Sequence, residues 1–140
     1  MKVTLITVCR NVAPVIAETL DSVLSQTHAD IELIVIDGAS TDGTVEILES
    51  YRDRNRNGRG ITTLVSEPDK GIYDAMNKGL RLATGEVIGF VNAGDLLMTP
   101  DVIAHVLKAF ERAHVDAVYG DIIMVDENDV YKVHRTWLSG

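Results

Sequence analysis

The sequence predicts an α/β fold in which helices flank a mostly parallel β-sheet on both faces. Short, nearly continuous apolar runs alternate along the chain with stretches of helical periodicity. Such runs read as strands covered on both sides, because a strand with one wet face would alternate polar and apolar residues. Each run also stops at a polar or glycine-containing turn before the next helical stretch. With 140 residues and 46% hydrophobic content, the chain can build a real core as one domain over residues 1–140.

The elements follow in order. VTLITVC (Val3–Cys9) is the first strand. Pro14 suits the first turn of a helix, after which Val15, Ile16, Thr19, Leu20, Val23 and Leu24 recur at helical spacing. IELIVI (31–36) is the second strand, and GASTDG turns into a helix over about 44–54 with Asp42 as its N-cap. ITTLVS (61–66) is the third strand, GIYDAMNKGLRLA the third helix and EVIGFV (86–91) the fourth strand. Pro100 and Asp101 open a fourth helix through Val102, Val106, Leu107 and Phe110. VDAVYG (115–120) reads as a fifth strand, and DIIMV and VYKVH as a hairpin turning at DENDV. The ending RTWLSG supplies no closing element, so the chain reads as the front of something longer.

Bulk properties exclude several functions. A formal net charge of −8 argues against a nucleic-acid partner, which needs a basic footprint. The one dense basic run, with Arg52, Arg54, Arg56 and Arg59, reads as a solvated helix end. A single cysteine, Cys9, excludes an internal disulfide, fits a reducing compartment and sits in an apolar run as a buried thiol. No stretch of about 18 apolar residues is present to span a membrane, and no signal peptide is seen. The expectation is a cytoplasmic protein, with peripheral attachment at the inner face of the membrane left open.

In an open parallel sheet the ligand sits beyond the carboxyl ends of the strands. Four stretches meet that condition: TVCRN with Thr7, Arg10 and Asn11; IDGASTDGT with Asp37; SEPDKG with Glu67, Asp69, Lys70 and Gly71; and VNAGD with Asn92 and Asp95. Each alone has a plain structural explanation, since polar residues and glycines terminate strands anyway. Their common edge is what suggests a site. Neither G-x-G-x-x-G nor the P-loop pattern is present. His28, His105, His114 and His134 show no metal-ligand spacing, and DENDV lacks the central glycine and final glutamate of a calcium loop.

These four motifs, in this order, resemble the family 2 glycosyltransferases over about the first hundred residues, from LITVCRNVAPVIAETLDSVLSQTHADIELIVIDGASTDGT through SEPDKGIYDAMNKGLRLATGEVIGFVNAGDLL. The resemblance implies the GT-A, Rossmann-like nucleotide-diphospho-sugar transferase architecture, truncated at the C-terminus. EPDKGIYDAMNKG and FVNAGD resemble bacterial enzymes of exopolysaccharide and lipopolysaccharide synthesis. Carried over residue by residue, it implies that Thr7, Arg10, Asn11 and Asp37 hold base and ribose. Glu67, Asp69, Lys70 and Gly71 would line the nucleotide pocket, with Asp74 and Asn77 on the helix behind. VNAGD would occupy the place of the family's D-x-D motif, where carboxylates hold Mn²⁺ or Mg²⁺ against the donor's diphosphate.

This sequence departs from that motif: acidic residues usually stand where Asn92 and Gly94 are, leaving Asp95 as the one metal-ligating carboxylate. Asn92 offers an amide oxygen to ribose or to a metal-bound water, and Lys70 or Arg10 adds positive charge. The implied reaction is transfer of a hexose from a nucleotide-sugar, UDP-linked, to a saccharide or lipid-linked acceptor, with inversion. That reaction needs a carboxylate base. The resemblance puts it beyond residue 140, and Asp121 is the one local candidate, read equally well as a strand-end residue. The other function class is a nucleotide-sugar-binding module without turnover. A nucleotidyltransferase would place a basic glycine-rich loop after the first strand, and CRNVAP is not one. The unfinished sheet leaves room for a homo-oligomer.

Overall fold

The structure is a computed structural model that describes residues 1–55, 58–126, 128–129 and 131–138. Arg56 of the basic run and Glu127 and Val130 of the DENDV turn lie outside those residues. The element order is β1 (Val3–Cys9), α1 (Ile16–Leu24), β2 (Ile31–Asp37), α2 (Thr44–Asp53), β3 (Thr63–Ser66), α3 (Ile72–Leu82), β4 (Val87–Phe90), α4 (Val102–Ala113), β5 (Ile122–Val125) and β6 (Val133–Trp137). The residues group into two compact units, Met1–Ala104 and His105–Gly140, and α4 begins in the first.

In the first unit a four-stranded parallel sheet has the order β3-β2-β1-β4. All of β1 and six of the seven residues of β2 are buried, which is why both read as unbroken apolar runs. The chain steps from β1 to β2 to β3 in one direction and then returns to place β4 on the other side of β1. Right-handed crossovers therefore put α1 and α2 on one face and α3 on the other. Contacts agree with that rule. Tyr51 Oη on α2 donates to Asp21 on α1 (2.7 Å), while Ala75 of α3 packs against Ile6, Val8, Ile34 and Ile36.

The reversal makes a topological switch point between β1 and β4, and their carboxyl ends open onto it. Cys9, Asp37 and Ser66 stand in line across β1, β2 and β3, so three loops leave the sheet at one level. Gly79 fixes how closely α3 can sit: a Cβ there would lie 2.5 Å from Ile6 Cγ2, inside any tolerable contact. The approach lets α3 seal the central strands, and each large apolar side chain so buried contributes about 1.5–3 kcal/mol.

At the opposite end of the sheet Glu32 is nearly buried but fully engaged. Thr4 Oγ1 donates to Oε1 at 2.6 Å, Thr84 N–H to Oε1 at 2.9 Å and Thr84 Oγ1 to Oε2 at 2.7 Å, with Lys2 Nζ 3.5 Å away. One carboxylate thus ties β1 and β2 to the turn between α3 and β4.

In the second unit β5 and β6 form the expected antiparallel hairpin, from Ile122↔Trp137 to Val125↔Val133. Two sequence expectations are corrected here. Residues 115–120 form no strand, because among the described residues no neighbouring strand offers them a ladder. The second hairpin strand starts at Val133, later than the run VYKVH, because Lys132 is taken up by the turn: Asp126 N–H donates to the Lys132 carbonyl and Lys132 N–H to that of Asp129. Among the described residues no helix is long and apolar enough to cross a membrane.

Burial alone would raise the Glu32 pKa, but the hydrogen bonds from Thr4 and Thr84 and the Lys2 charge outweigh it and bring it down to about 2. A depressed carboxylate stabilises the fold fully above its ordinary value and loses that contribution as pH falls toward the folded value. Glu32→Gln should therefore cost about 2–3 kcal/mol at neutral pH. Urea denaturation across pH should show the gap to wild type closing between about pH 4.5 and pH 2.

Candidate functional site

The loops after β1 and β2 are clasped together by polar groups. Gly38 N–H donates to the Cys9 carbonyl, continuing the ladder past the strand ends. Asn11 N–H donates to Ser40 Oγ (2.8 Å), and Thr41 N–H donates back to Asn11 Oδ1 (2.8 Å). Asn11 adopts φ +51, a left-handed conformation that asparagine tolerates better than most residues, and Ala39 is held at φ +58. Val12 N–H reaches Thr44 Oγ1, and Ala13 N–H reaches Asp42 Oδ2. Asp42 also accepts from Thr44 N–H and Oγ1–H, so it caps α2 from one residue further out than expected, with Gly43 at the N-cap, and staples the first loop as well.

Beneath this clasp lies Asp37, with no exposed surface. Its Oδ1 accepts from Ser40 Oγ and from the Cys9 thiol (3.6 Å), and its Oδ2 from Ser40 N–H (2.9 Å) and Ser66 Oγ (2.7 Å). A carboxylate this occupied anchors loops and presents no oxygen to a ligand. The Cys9 thiol is pushed up to about 12 by burial and then by the Asp37 charge, which makes it inert as a nucleophile. Thr7 is likewise wholly buried within β1, its hydroxyl without a protein partner. Of the residues expected around base and ribose, only Arg10 is both exposed and without a hydrogen bond or ion pair among the described residues.

The third loop starts where Glu67 N–H donates to the Asp37 carbonyl. Asp69 Oδ1 accepts from Gly71 N–H (3.0 Å), and Asp74 Oδ2 accepts from Lys70 N–H (2.9 Å). Gly71 has φ +115, open only to glycine in practice, and begins α3 with no side-chain cap. The Lys70 N–H bond is the main reason the Asp74 pKa is lowered. Glu67 pairs with Lys78 at 3.1 Å, whereas the exposed ammonium of Lys70 makes no hydrogen bond or ion pair among the described residues. Asn77 is exposed on α3.

The fourth loop, at the switch point, is held by α1. Thr19 Oγ1 accepts from Gly94 N–H (2.9 Å), and Ser22 Oγ accepts from Leu97 N–H (3.2 Å). Gln26, 1% exposed, donates to the Thr99 carbonyl and accepts from Ile103 N–H. Thr19, Ser22 and Gln26 were not singled out as site residues from the sequence, where Thr19 passes for one of the apolar repeat. Their spacing of three and four residues is the signal that a polar stripe lies beside the apolar one.

Asp95 N–H closes a turn onto the Asn92 carbonyl (3.0 Å), with Gly94 at φ +95. The Asp95 carboxylate is exposed and, among the described residues, has no partner. Asn92 Oδ1 is buried and also lacks one. No three His, Cys, Asp or Glu side chains gather among the described residues. The loop thus offers one exposed carboxylate, which fits an Mg²⁺-like ion that takes one or two protein carboxylates and draws its other ligands from phosphates and water. Asp121 lies in the second unit.

The model of Glycosyl transferase family 2 matches residues 4–139. A PGL/p-HBAD biosynthesis glycosyltransferase of Mycobacterium bovis is 43% identical over 120 residues, covering 84% of this chain and 45% of the relative. Among solved structures, the mannosyltransferase PcManGT from Pyrobaculum calidifontis, in complex with GDP-Man and Mn²⁺, superposes with TM-score 0.72 at 32% identity, covering 93% of this chain and 37% of that one. S. aureus TarS 1-349 in complex with UDP-GlcNAc gives TM-score 0.72 at 26% identity, covering 83% and 33%. The chain spans less than half the length of these relatives.

If Asp37 is a loop anchor, Asp37→Ala should cost about 2–4 kcal/mol in urea denaturation, because it removes the buried acceptor that holds Ser40 and Ser66 in part-buried bonds. A loss below about 1 kcal/mol would contradict the anchoring role.

Proposed function

The chain belongs to glycosyltransferase family 2, and from that premise we propose that it forms the donor-binding part of an enzyme moving a sugar from a nucleoside-diphosphate sugar, UDP-linked, to a saccharide or lipid-linked acceptor of cell-surface polysaccharide synthesis. One observation carries the reading. A chain of net charge −8 leaves the cations of Arg10 and Lys70 and the carboxylate of Asp95 without a hydrogen bond or ion pair among the described residues, on loops at a single sheet edge. Unpaired cations in an acidic protein suit an anion, and an unpaired carboxylate on another loop of the same edge suits a cation bound with it. The structural neighbours bind ligands of that kind, GDP-Man with Mn²⁺ in one case and UDP-GlcNAc in another.

Asp95 would hold the Mn²⁺ or Mg²⁺ ion, which when bound neutralises charge on the leaving diphosphate. Arg10 and Lys70 add fixed positive charge to the same group as the sugar–oxygen bond breaks. Asn92, its amide oxygen unpartnered, offers an acceptor to a ribose hydroxyl or to a metal-bound water. Asp37 acts from below by holding Ser40 and Ser66, and through them the loops that carry Arg10 and Asp69. Inversion requires a base on the face of the sugar opposite the leaving group. We place it outside the four crevice loops, at a carboxylate of a longer chain. The enzyme would work at the cytoplasmic face of the membrane, where nucleotide-sugars are available.

A second reading, a donor-binding module without turnover, draws support from Asp95 being the one carboxylate at the switch point. Calorimetric titration of UDP should show Mn²⁺ tightening binding by about tenfold, with Asp95→Asn losing the enhancement. Equal affinity with and without metal would remove Asp95 from the metal site. Release of UDP from UDP-sugars in the presence of saccharide acceptors separates the enzyme from the module.

A further inference from the structure

We infer that Asp69, seated in the space left by the missing side chain of Gly38, reads the nucleobase and selects uracil. The inference rests on the reading of the crevice as a nucleoside-diphosphate site. Gly38 follows directly on β2 and is fixed by its N–H bond to the Cys9 carbonyl. A Cβ built at Gly38 would lie 2.8 Å from Asp69 Oδ2 and 3.6 Å from Arg10 Cβ. The glycine therefore opens a gap at the end of β2, into which the Asp69 carboxylate reaches from the third loop, and the stem of Arg10 walls the other side.

The two oxygens of Asp69 are not equivalent. Oδ1 is occupied by Gly71 N–H at 3.0 Å, which fixes the carboxylate's orientation. Oδ2 has no protein donor among the described residues. Asp37, the acidic residue one position before, is saturated, so Asp69 Oδ2 is the free carboxylate acceptor at this junction of β1, β2 and β3.

Base chemistry then decides what fits. Uracil presents one ring N–H between two carbonyls, and a single free acceptor satisfies it. Guanine presents two adjacent donors and would leave one unmet. Cytosine and adenine present a bare ring nitrogen at that edge, whose lone pair would face the carboxylate. Sites that use a buried or fixed polar group to read a hydrogen bond discriminate strongly, because the mismatched ligand leaves that group unpaired. The Arg10 guanidinium, with no protein bond of its own, is a donor for a base carbonyl or for phosphate.

The test is calorimetric titration of the 140-residue chain with UDP, GDP, CDP and ADP in the presence of Mn²⁺. UDP should bind tightest, by about tenfold or more over CDP and ADP. Equal or tighter binding of any of the other three would overturn the assignment. Asp69→Asn, keeping its carbonyl on Gly71 N–H, would turn an amide N–H toward the base, so the preference for UDP over CDP should collapse or reverse. A purely structural role would weaken all four nucleotides alike, and that result would also overturn it. Gly38→Ala, which pushes the carboxylate out of the gap, should lower UDP affinity by about tenfold and leave CDP unchanged. The wild-type order and Gly38→Ala decide the question if Asp69→Asn does not fold. Absence of binding by all four nucleotides would instead overturn the donor-site reading on which the inference stands.

Discussion

The buried carboxylate of Asp37 is the interaction on which the crevice depends. A charge removed from water is costly unless every lone pair finds a donor, and here donors come from two serine hydroxyls, a backbone N–H and a thiol. Those donors belong to β1, β3 and the loop after β2, so satisfying one carboxylate fixes the relative height of three strand ends. The left-handed conformations at Asn11 and Ala39 are held in place by the same clasp. Loops locked in this way can present Arg10 and Asp69 at fixed positions without relying on ligand to order them.

The fourth loop is held by different means. No buried charge lies under it; the polar stripe of α1 supplies hydroxyl and amide partners to the backbone of residues 94–103. The first helix therefore serves two purposes, with Ile16, Leu20 and Val23 sealed in the core and Thr19 and Ser22, joined by Gln26 just beyond its end, bracing the switch point. Since Asp95 sits on the braced segment, its backbone is held by residues 75 positions earlier in the chain than those they bond.

How much of this was legible in the sequence varies from residue to residue. β1 and β2 were readable to within a residue because strands covered on both faces leave unbroken apolar runs. β3 and β4 came out shorter than their runs, since pairing with a single neighbour at a sheet edge limits them. The four loops were located correctly, because the ends of parallel strands all face one way. The roles of individual residues were less accessible. An aspartate at a strand end reads the same whether its oxygens face a ligand or two serines, and only Ser40 and Ser66 closing over Asp37 distinguish the cases. A threonine near a strand end reads the same whether exposed or buried, and only the covering of β1 on both faces shows that Thr7 is buried. The gap at Gly38 could not be read at all, because an absent side chain leaves no trace in sequence of what fills its space.

The placement of β4 also bears on how the molecule is made. β1 is one of the two inner strands, yet one of its neighbours comes from residues 87–90, and the bond from Gly85 to Thr4 joins groups 81 positions apart. A ribosome emits β1 long before that neighbour exists. Until then, one edge of a strand buried along its whole length stays open, and non-local pairing of this kind is slow to form. The nascent chain must therefore be kept from pairing with others until about residue 90 has emerged, so the burden on chaperones falls early in synthesis.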